Sequence, residues 1–127
     1  MKVDQVHALL ARLLERMPPR YPRPVLVLHE TPEGMVEFLR RGRYAFQRGY
    51  DASDVLGVAD AHRNAIHLPI TTLRQSRRTV LGTLLHELGH LDAANRYGTD
   101  STQYTDERRA NAFERRWLER LEKDGLS

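Results

Sequence analysis

The longest periodic segment of the sequence, from about Arg77 to Tyr97, limits the possible folds more than any other part of the chain. Its apolar residues recur every three or four positions, which places them on one face of an α-helix. They are Val80, Leu81, Leu84, Leu85, Leu88 and Leu91. Gly98 follows at the position where a helix commonly ends in a glycine. The sequence therefore predicts a long helix with one face in the core.

Three other segments have the spacing or the end signals of a helix. Their predicted bounds are 4–17, Pro32–Gly42 and Thr105–Leu121. Pro18-Pro19 ends the first, and Thr31 is the expected N-cap of the second. The third is expected to begin with Thr105 as its N-cap and to end before Gly125. Phe113 and Trp117 lie four residues apart and are expected in the core.

Short β segments occupy the middle of the chain. Val25–His29 has the composition of a buried strand. Tyr44–Phe46, Val55–Ala61 and Ala65–Leu68 are separated by glycines and by the turn His62-Arg63-Asn64, which predicts a small antiparallel meander. Together with the helices, these strands predict an α+β fold with a small mixed or antiparallel sheet.

Length and composition exclude several classes of protein. A chain of 127 residues, 40% of them hydrophobic, suits one domain, predicted to span residues 1–127. Without cysteine it cannot form a disulfide, an iron–sulfur cluster or a thiolate zinc site, so a metal must be bound by His, Asp or Glu. The longest aliphatic run, Val25–Leu28, is far shorter than a membrane span, and polar residues interrupt the N-terminus. We therefore expect a cytoplasmic protein with no membrane partner.

Arginine dominates the basic residues. The formal net charge is +3, and every basic residue except Lys2 and Lys123 is arginine. The guanidinium group suits carboxylate and phosphate partners, which keeps an arginine-rich nucleic-acid-binding module as an alternative function. No nucleic-acid-binding motif accompanies the charge, so nucleic acid is not the favoured partner. The arginine clusters are expected to be solvated surfaces.

The predicted long helix contains the pentapeptide His86-Glu87-Leu88-Gly89-His90. Residues four apart lie one turn apart on the same helix face, so both imidazoles can bind one metal ion. Leu85, Leu88 and Leu91 flank them, and polar groups beside an apolar core are costly unless something satisfies them. This H-E-x-x-H pattern predicts a zinc site, with Glu87 as the general base that takes a proton from zinc-bound water.

A catalytic zinc ion has three protein ligands and a water, so one ligand is still to be found. No histidine follows His90, and we therefore expect a carboxylate. Glu107 is favoured because it lies far enough along the chain for the next helix to return it to the first. Asp106 and Asp100 remain alternatives, and Asn111, one turn after Glu107, could hold a ligating histidine in the required tautomer.

Two motifs resemble the ImmA/IrrE-type zinc metallopeptidases. The pentapeptide matches their H-E-hydrophobic-G-H pattern, and Glu107-Arg108-Arg109-Ala110-Asn111-Ala112-Phe113 matches their E-x-x-A-N-x-F. Segments Gly57–Asp60 and Ile66–Pro69 also resemble the strand pair that precedes the metal helix in that family. The similarity covers about Val55–Trp117 and departs from the family at Arg109 and Glu114, where an acid and an alanine are common.

The resemblance implies a zincin-like fold in which a small sheet packs on the H-E-x-x-H helix and on a second, ligand-bearing C-terminal helix. It implies zinc bound by His86, His90 and Glu107, and peptide-bond hydrolysis with Glu87 as base, acting on a specific partner protein. It further implies that a substrate peptide adds to the edge of the strand Ala65–Leu68.

The group that stabilises the oxyanion is open at this stage, with His67, Tyr97 and Tyr104 as candidates. The favoured function is a zinc metallopeptidase acting on a protein or peptide. The alternatives are the nucleic-acid-binding module and an inactive zinc-binding regulatory or scaffold protein.

Overall fold

The computed structural model describes residues 1–41, 55–98 and 103–125, without the side chains of 103 and 104. The described residues form a small α+β fold of four α-helices and a three-stranded sheet. The elements are α1 (Val3–Arg16), β1 (Val25–His29), α2 (Pro32–Arg41), β2 (Val58–Asp60), β3 (Ala65–Pro69), a 3₁₀ helix (Ile70–Arg74), α3 (Arg77–Tyr97) and α4 (Gln103–Lys123). None of the helices described is both long enough and apolar enough to cross a membrane.

The sheet is mixed, with the strand order β1-β3-β2. β1 runs parallel to β3, with Val25 opposite Ala65, and β2 runs antiparallel to it, with Val58 opposite His67. The prediction that a peptide adds to the edge of Ala65–Leu68 is wrong, because β3 is the central strand and has a neighbour on each side. The meander is confirmed only for the β2–β3 pair, and its first segment, Tyr44–Phe46, lies outside the described residues.

β2 is shorter than the predicted strand Val55–Ala61, since it begins only at Val58 and a tight turn ends it at Asp60. The Asp60 carboxylate accepts hydrogen bonds from the backbone N–H groups of His62 and Arg63, at 3.1 and 3.3 Å. Such a side-chain acceptor favours a turn over continued strand pairing. Asn64 completes the turn with a φ of 50°, a conformation that asparagine tolerates better than most residues.

The two faces of β3 belong to different layers of the fold. Ile66 and Leu68 lie in the main core with side chains of α1, α3 and α4, including Phe113 and Trp117 as predicted. His67 points the other way, where it contacts His29 of β1 and Phe38 of α2. This alternation follows from the two-residue period of a strand.

The predicted bounds of α3 are confirmed at both ends. The Ser76 side chain accepts a hydrogen bond from the Thr79 N–H at the first turn, and Gly98 follows the last turn with a φ of 78°. α4 begins at Gln103, so the prediction that Thr105 is its N-cap is wrong. A cap contributes about 1 kcal/mol, and we attribute the earlier start to the packing of α4 along α3.

α3 and α4 lie close together at Gly89. A Cβ atom at that position would lie 3.0 Å from the Cα atom of Ala110 and 3.0 Å from the Cβ atom of Phe113. Glycine suits this contact, because a larger residue would be crowded against the backbone of α4. The contact brings the first half of α4 against the residues that follow Gly89 on α3.

We predict that Gly89→Ala destabilises the metal-free protein, because the added methyl group meets the backbone of α4. Overpacking of this kind costs about 1–3 kcal/mol, more than the helix propensity gained by replacing glycine, about 1 kcal/mol. Gly82→Ala is the matched control in the same helix, since a Cβ there would meet side chains rather than backbone, the nearest atom being Glu114 Oε2 at 3.2 Å. Urea unfolding compares the two variants, and equal stability would contradict the prediction.

Candidate metal centre

The two histidines of the pentapeptide lie on one face of α3, as their spacing predicts. The ring centroids of His86 and His90 are 4.9 Å apart, with an angle of 81° between the ring planes. Their side chains are 20% and 22% exposed, so both are reachable from solvent while most of each ring is covered. Both line a cleft of about 710 Å³ bordered by β2, α3 and α4.

Glu107 brings a carboxylate to both rings from α4. Its Oε1 atom lies 2.8 Å from His90 Nε2, and its Oε2 atom lies 3.2 Å from His86 Nε2. The candidate ligand atoms of these three residues all lie within 4.8 Å of one another, an arrangement that could hold a metal ion. The structure therefore brings together the three residues that the sequence predicts as ligands.

The alternative third ligands have other positions. Asp106 lines the same cleft but does not belong to the group of three close ligand atoms. Asp100 lies outside the described residues. Asp92 points to another side of α3 and forms an ion pair with Arg96, at 3.1 Å. Of the described acids, Glu107 is thus the one that contacts both histidines.

Glu114 takes the place that the sequence predicted for Asn111. Asn111 is exposed and lines a separate hollow with Arg108 and Arg115, so its prediction is wrong. Glu114 lies seven residues after Glu107, two helical turns, and its Oε1 atom is 3.3 Å from His86 Nδ1. Because α4 returns along α3, the side chain two turns after Glu107 is the one that reaches the other ring nitrogen of His86. The seven-residue spacing between Glu107 and Glu114, which places both carboxylates on one face of α4, is the sequence signal for this residue.

Glu87 lies at the buried end of the cleft and is only 6% exposed. Burial raises the pKa of its carboxyl to about 8, and the negative charges of Glu107 and Glu114 act in the same direction. A hydrogen bond from the backbone of Ala59 on β2 partly offsets them. In the metal-free protein Glu87 therefore holds a proton at neutral pH, beside the two histidines.

The charge state of His90 suits a ligand. Burial lowers the pKa of its imidazole below the ordinary value, although the adjacent Glu107 carboxylate opposes this shift. An imidazole must be neutral to bind a metal through a ring nitrogen. Its environment therefore favours the form that can coordinate.

Two of the three candidates for the oxyanion donor lie elsewhere. His67 stacks on His29 on the α2 side of the sheet, and Tyr97 is 59% exposed with the Arg109 guanidinium 3.7 Å from its ring centroid. Neither is among the described residues that line the cleft, so both predictions are wrong. The side chain of Tyr104 lies outside the described residues.

We predict that Glu87→Gln changes how the stability of the metal-free protein depends on pH. Because the pKa rises from 4.5 to about 8 on folding, the folded state binds the extra proton between these pH values. The free energy of unfolding then falls as the pH rises through this window, by up to about 1.4 kcal/mol per pH unit. Glutamine cannot ionise, so the variant should lose this slope and be the more stable protein at pH 8.

Urea titrations of the metal-free proteins from pH 4.5 to 8 measure this effect. Glu119→Gln is the control, because it removes the same charge from an exposed position on α4. Parallel stability curves for the wild type and Glu87→Gln would contradict the assignment of the buried carboxyl.

A scan against models of protein families, a search of curated proteins and a search of solved structures each found no match to this chain. What the metal centre can do is therefore inferred from its own residues: two imidazoles and a carboxylate that could hold a cation, and a buried carboxyl that holds a proton beside them.

Proposed function

We propose that the chain is a zinc-dependent metallopeptidase of zincin-like fold, in which His86, His90 and Glu107 hold the ion. One observation carries the proposal: each oxygen of the Glu107 carboxylate lies within 3.2 Å of the Nε2 atom of one histidine, inside an open cleft. The resemblance of the two motifs to ImmA/IrrE-type peptidases is consistent with this assignment.

The donor set fits zinc. Two imidazoles and one carboxylate are common zinc ligands, and three protein ligands are typical of a catalytic site, which keeps a position for water or substrate. Ligand atoms around a tetrahedral zinc ion, about 2.0–2.1 Å from the metal, are roughly 3.3 Å apart. With one ligand atom taken from each residue, the atoms of His86, His90 and Glu107 all lie within 4.8 Å of one another, which is compatible with one ion among them.

A bound zinc ion would polarise the scissile carbonyl and make a water molecule acidic enough to lose a proton near neutral pH. The residue assigned to accept this proton is Glu87, which lines the same cleft as both histidines. The positive charge of the ion opposes the burial that raises the pKa of Glu87, and so favours the ionised form that a base needs. Glu87 then passes the proton to the leaving amine.

We propose a segment of a specific partner protein as substrate, the class implied by the resemblance. β2 lines the cleft and, in the sheet of described residues, pairs only with β3. An extended peptide could therefore lie along β2, and main-chain hydrogen bonds would bind it largely independently of its side chains. Binding of the peptide along β2 replaces the expectation that the peptide adds to the edge of β3.

The ligand set is tested by zinc titration of Glu107→Ala and Asp106→Asn. We expect the wild type to bind one zinc ion per chain and Glu107→Ala to lose more affinity than the roughly 10–100-fold typical of groups outside the ligand shell. Asp106→Asn should bind within that smaller range, because Asp106 lines the cleft without joining the ligand group. Isothermal titration calorimetry measures both. A larger loss in Asp106→Asn would make Asp106 the third ligand.

The reaction is tested with Glu87→Gln. We expect the variant to keep its zinc, because all three ligands remain, and to lose at least about 100-fold in rate, since general acid–base catalysis contributes 10²–10⁴-fold. A proteome-derived peptide library is incubated with each protein, new termini are identified by mass spectrometry, and bound zinc is measured by elemental analysis. Cleavage by Glu87→Gln at the wild-type rate would refute the assignment of the base.

A further inference from the structure

We infer that Glu114 is a positioning residue of the metal centre, whose carboxylate accepts a hydrogen bond from the Nδ1–H of His86 and so directs Nε2 toward the metal. The inference rests on the metal site of the proposed function and adds a residue to it. Glu114 acts through His86 and is not itself proposed as a ligand.

The contacts of the His86 ring carry the inference. Its Nδ1 atom lies 3.3 Å from Glu114 Oε1, and its Nε2 atom lies 3.2 Å from Glu107 Oε2. Each ring nitrogen thus faces a different carboxylate of α4. When Nδ1 carries the proton and donates it to Glu114, Nε2 has the free lone pair that a cation needs. The same contact stabilises one orientation of the ring, because rotation would separate Nδ1 from its acceptor.

The carboxylate of Glu114 packs against α3 at Gly82. Its Oε2 atom would lie 3.2 Å from a Cβ atom at position 82, so its carboxylate occupies space that Gly82 leaves open. Gly82 is one turn before His86 on α3, so the carboxylate lies along the helix face that also carries the His86 ring. The absence of a side chain at Gly82 and the position of Glu114 are therefore linked.

The geometry separates this role from direct ligation. The group whose ligand atoms lie within 4.8 Å of one another contains His86, His90 and Glu107 but not Glu114. The nitrogen that Glu114 faces is the one turned away from Glu107. A carboxylate in that position fixes the tautomer of a metal-binding histidine and increases its basicity.

The first test compares the zinc affinity of the wild type, Glu114→Ala and Glu114→Gln. Loss of such an outer partner typically costs 10–100-fold in affinity, which we expect for Glu114→Ala. Glu114→Gln should retain most of the affinity, because its amide oxygen still accepts from Nδ1–H. Glu119→Gln, which removes a charge from an exposed position on the same helix, should bind as the wild type does. Competition with a chromophoric chelator at pH 7 gives the dissociation constants.

Two results of this comparison would overturn the inference. Unchanged zinc affinity in Glu114→Ala, with a wild type that binds zinc, refutes the role of Glu114 and leaves the proposed function standing. Equal losses in Glu114→Ala and Glu114→Gln show that charge or direct ligation, rather than the hydrogen bond, is responsible. A wild type that binds no zinc refutes the metal site and this inference together.

The second test observes the ring directly. Long-range ¹H–¹⁵N correlation spectra of the zinc-loaded protein should show His86 protonated at Nδ1 and bound through Nε2. In Glu114→Ala we expect this signal to broaden or to shift toward the other tautomer. A wild-type spectrum with Nδ1 as the bound nitrogen would contradict the inference.

Gly82→Ala provides a variant that keeps every charged group. The added methyl group displaces the Glu114 carboxylate from its place, so zinc affinity should fall, although less than in Glu114→Ala. The same substitution improves helix propensity and should stabilise the metal-free protein. Weaker zinc binding in a more stable protein cannot result from partial unfolding, whereas wild-type affinity in Gly82→Ala would argue against the link between Gly82 and Glu114.

Discussion

The close contact between Gly89 on α3 and Ala110 on α4 is the constraint on which the candidate site depends. At this point a methyl group would meet the Cα atom of Ala110 at 3.0 Å, so a side chain on α3 would crowd the backbone of α4. His90 follows Gly89 directly, and Glu107 precedes Ala110 by three residues. A short side chain such as glutamate can therefore bridge the helices and reach both imidazoles. With a larger crossing distance, the same residues would face each other without contact.

The electrostatics of the cleft follow from this packing. Three carboxyl groups, those of Glu87, Glu107 and Glu114, lie around two imidazoles in a partly covered space. Burial raises the pKa of Glu87, and the nearby charges of Glu107 and Glu114 raise it further. A cation bound among these groups would relieve the repulsion between the carboxylates. Cation binding and the charge state of Glu87 are consequently coupled.

The sequence predicts what depends on local periodicity and misses what depends on distant pairing. The bounds of α3 and the common face of His86 and His90 follow from the 3.6-residue repeat alone. Glu107 is predictable because no histidine follows His90, so the third ligand is expected to be a carboxylate on the next helix. The central place of β3 could not be read from the chain, because strand order depends on pairing with β1, which lies some 40 residues earlier. The sequence favours Asn111 over Glu114 as the partner of a ligating histidine, and this is wrong. Which side chain lies opposite His86 depends on how α4 returns along α3, which local spacing does not determine.

The arrangement also explains why the sheet matters to a site built mainly on two helices. Glu87 follows His86 on α3 and so points to a different side of the helix, toward β2, where the backbone of Ala59 donates a hydrogen bond to it. Gly57 keeps that approach open, since a Cβ there would meet Leu68 at 2.7 Å and Glu87 at 3.4 Å. α4 therefore supplies the groups that hold and orient the histidines, and the sheet supplies the group that holds the buried carboxyl. Because these two supports come from different elements, substitutions can alter the support of the histidines and the support of the buried carboxyl separately.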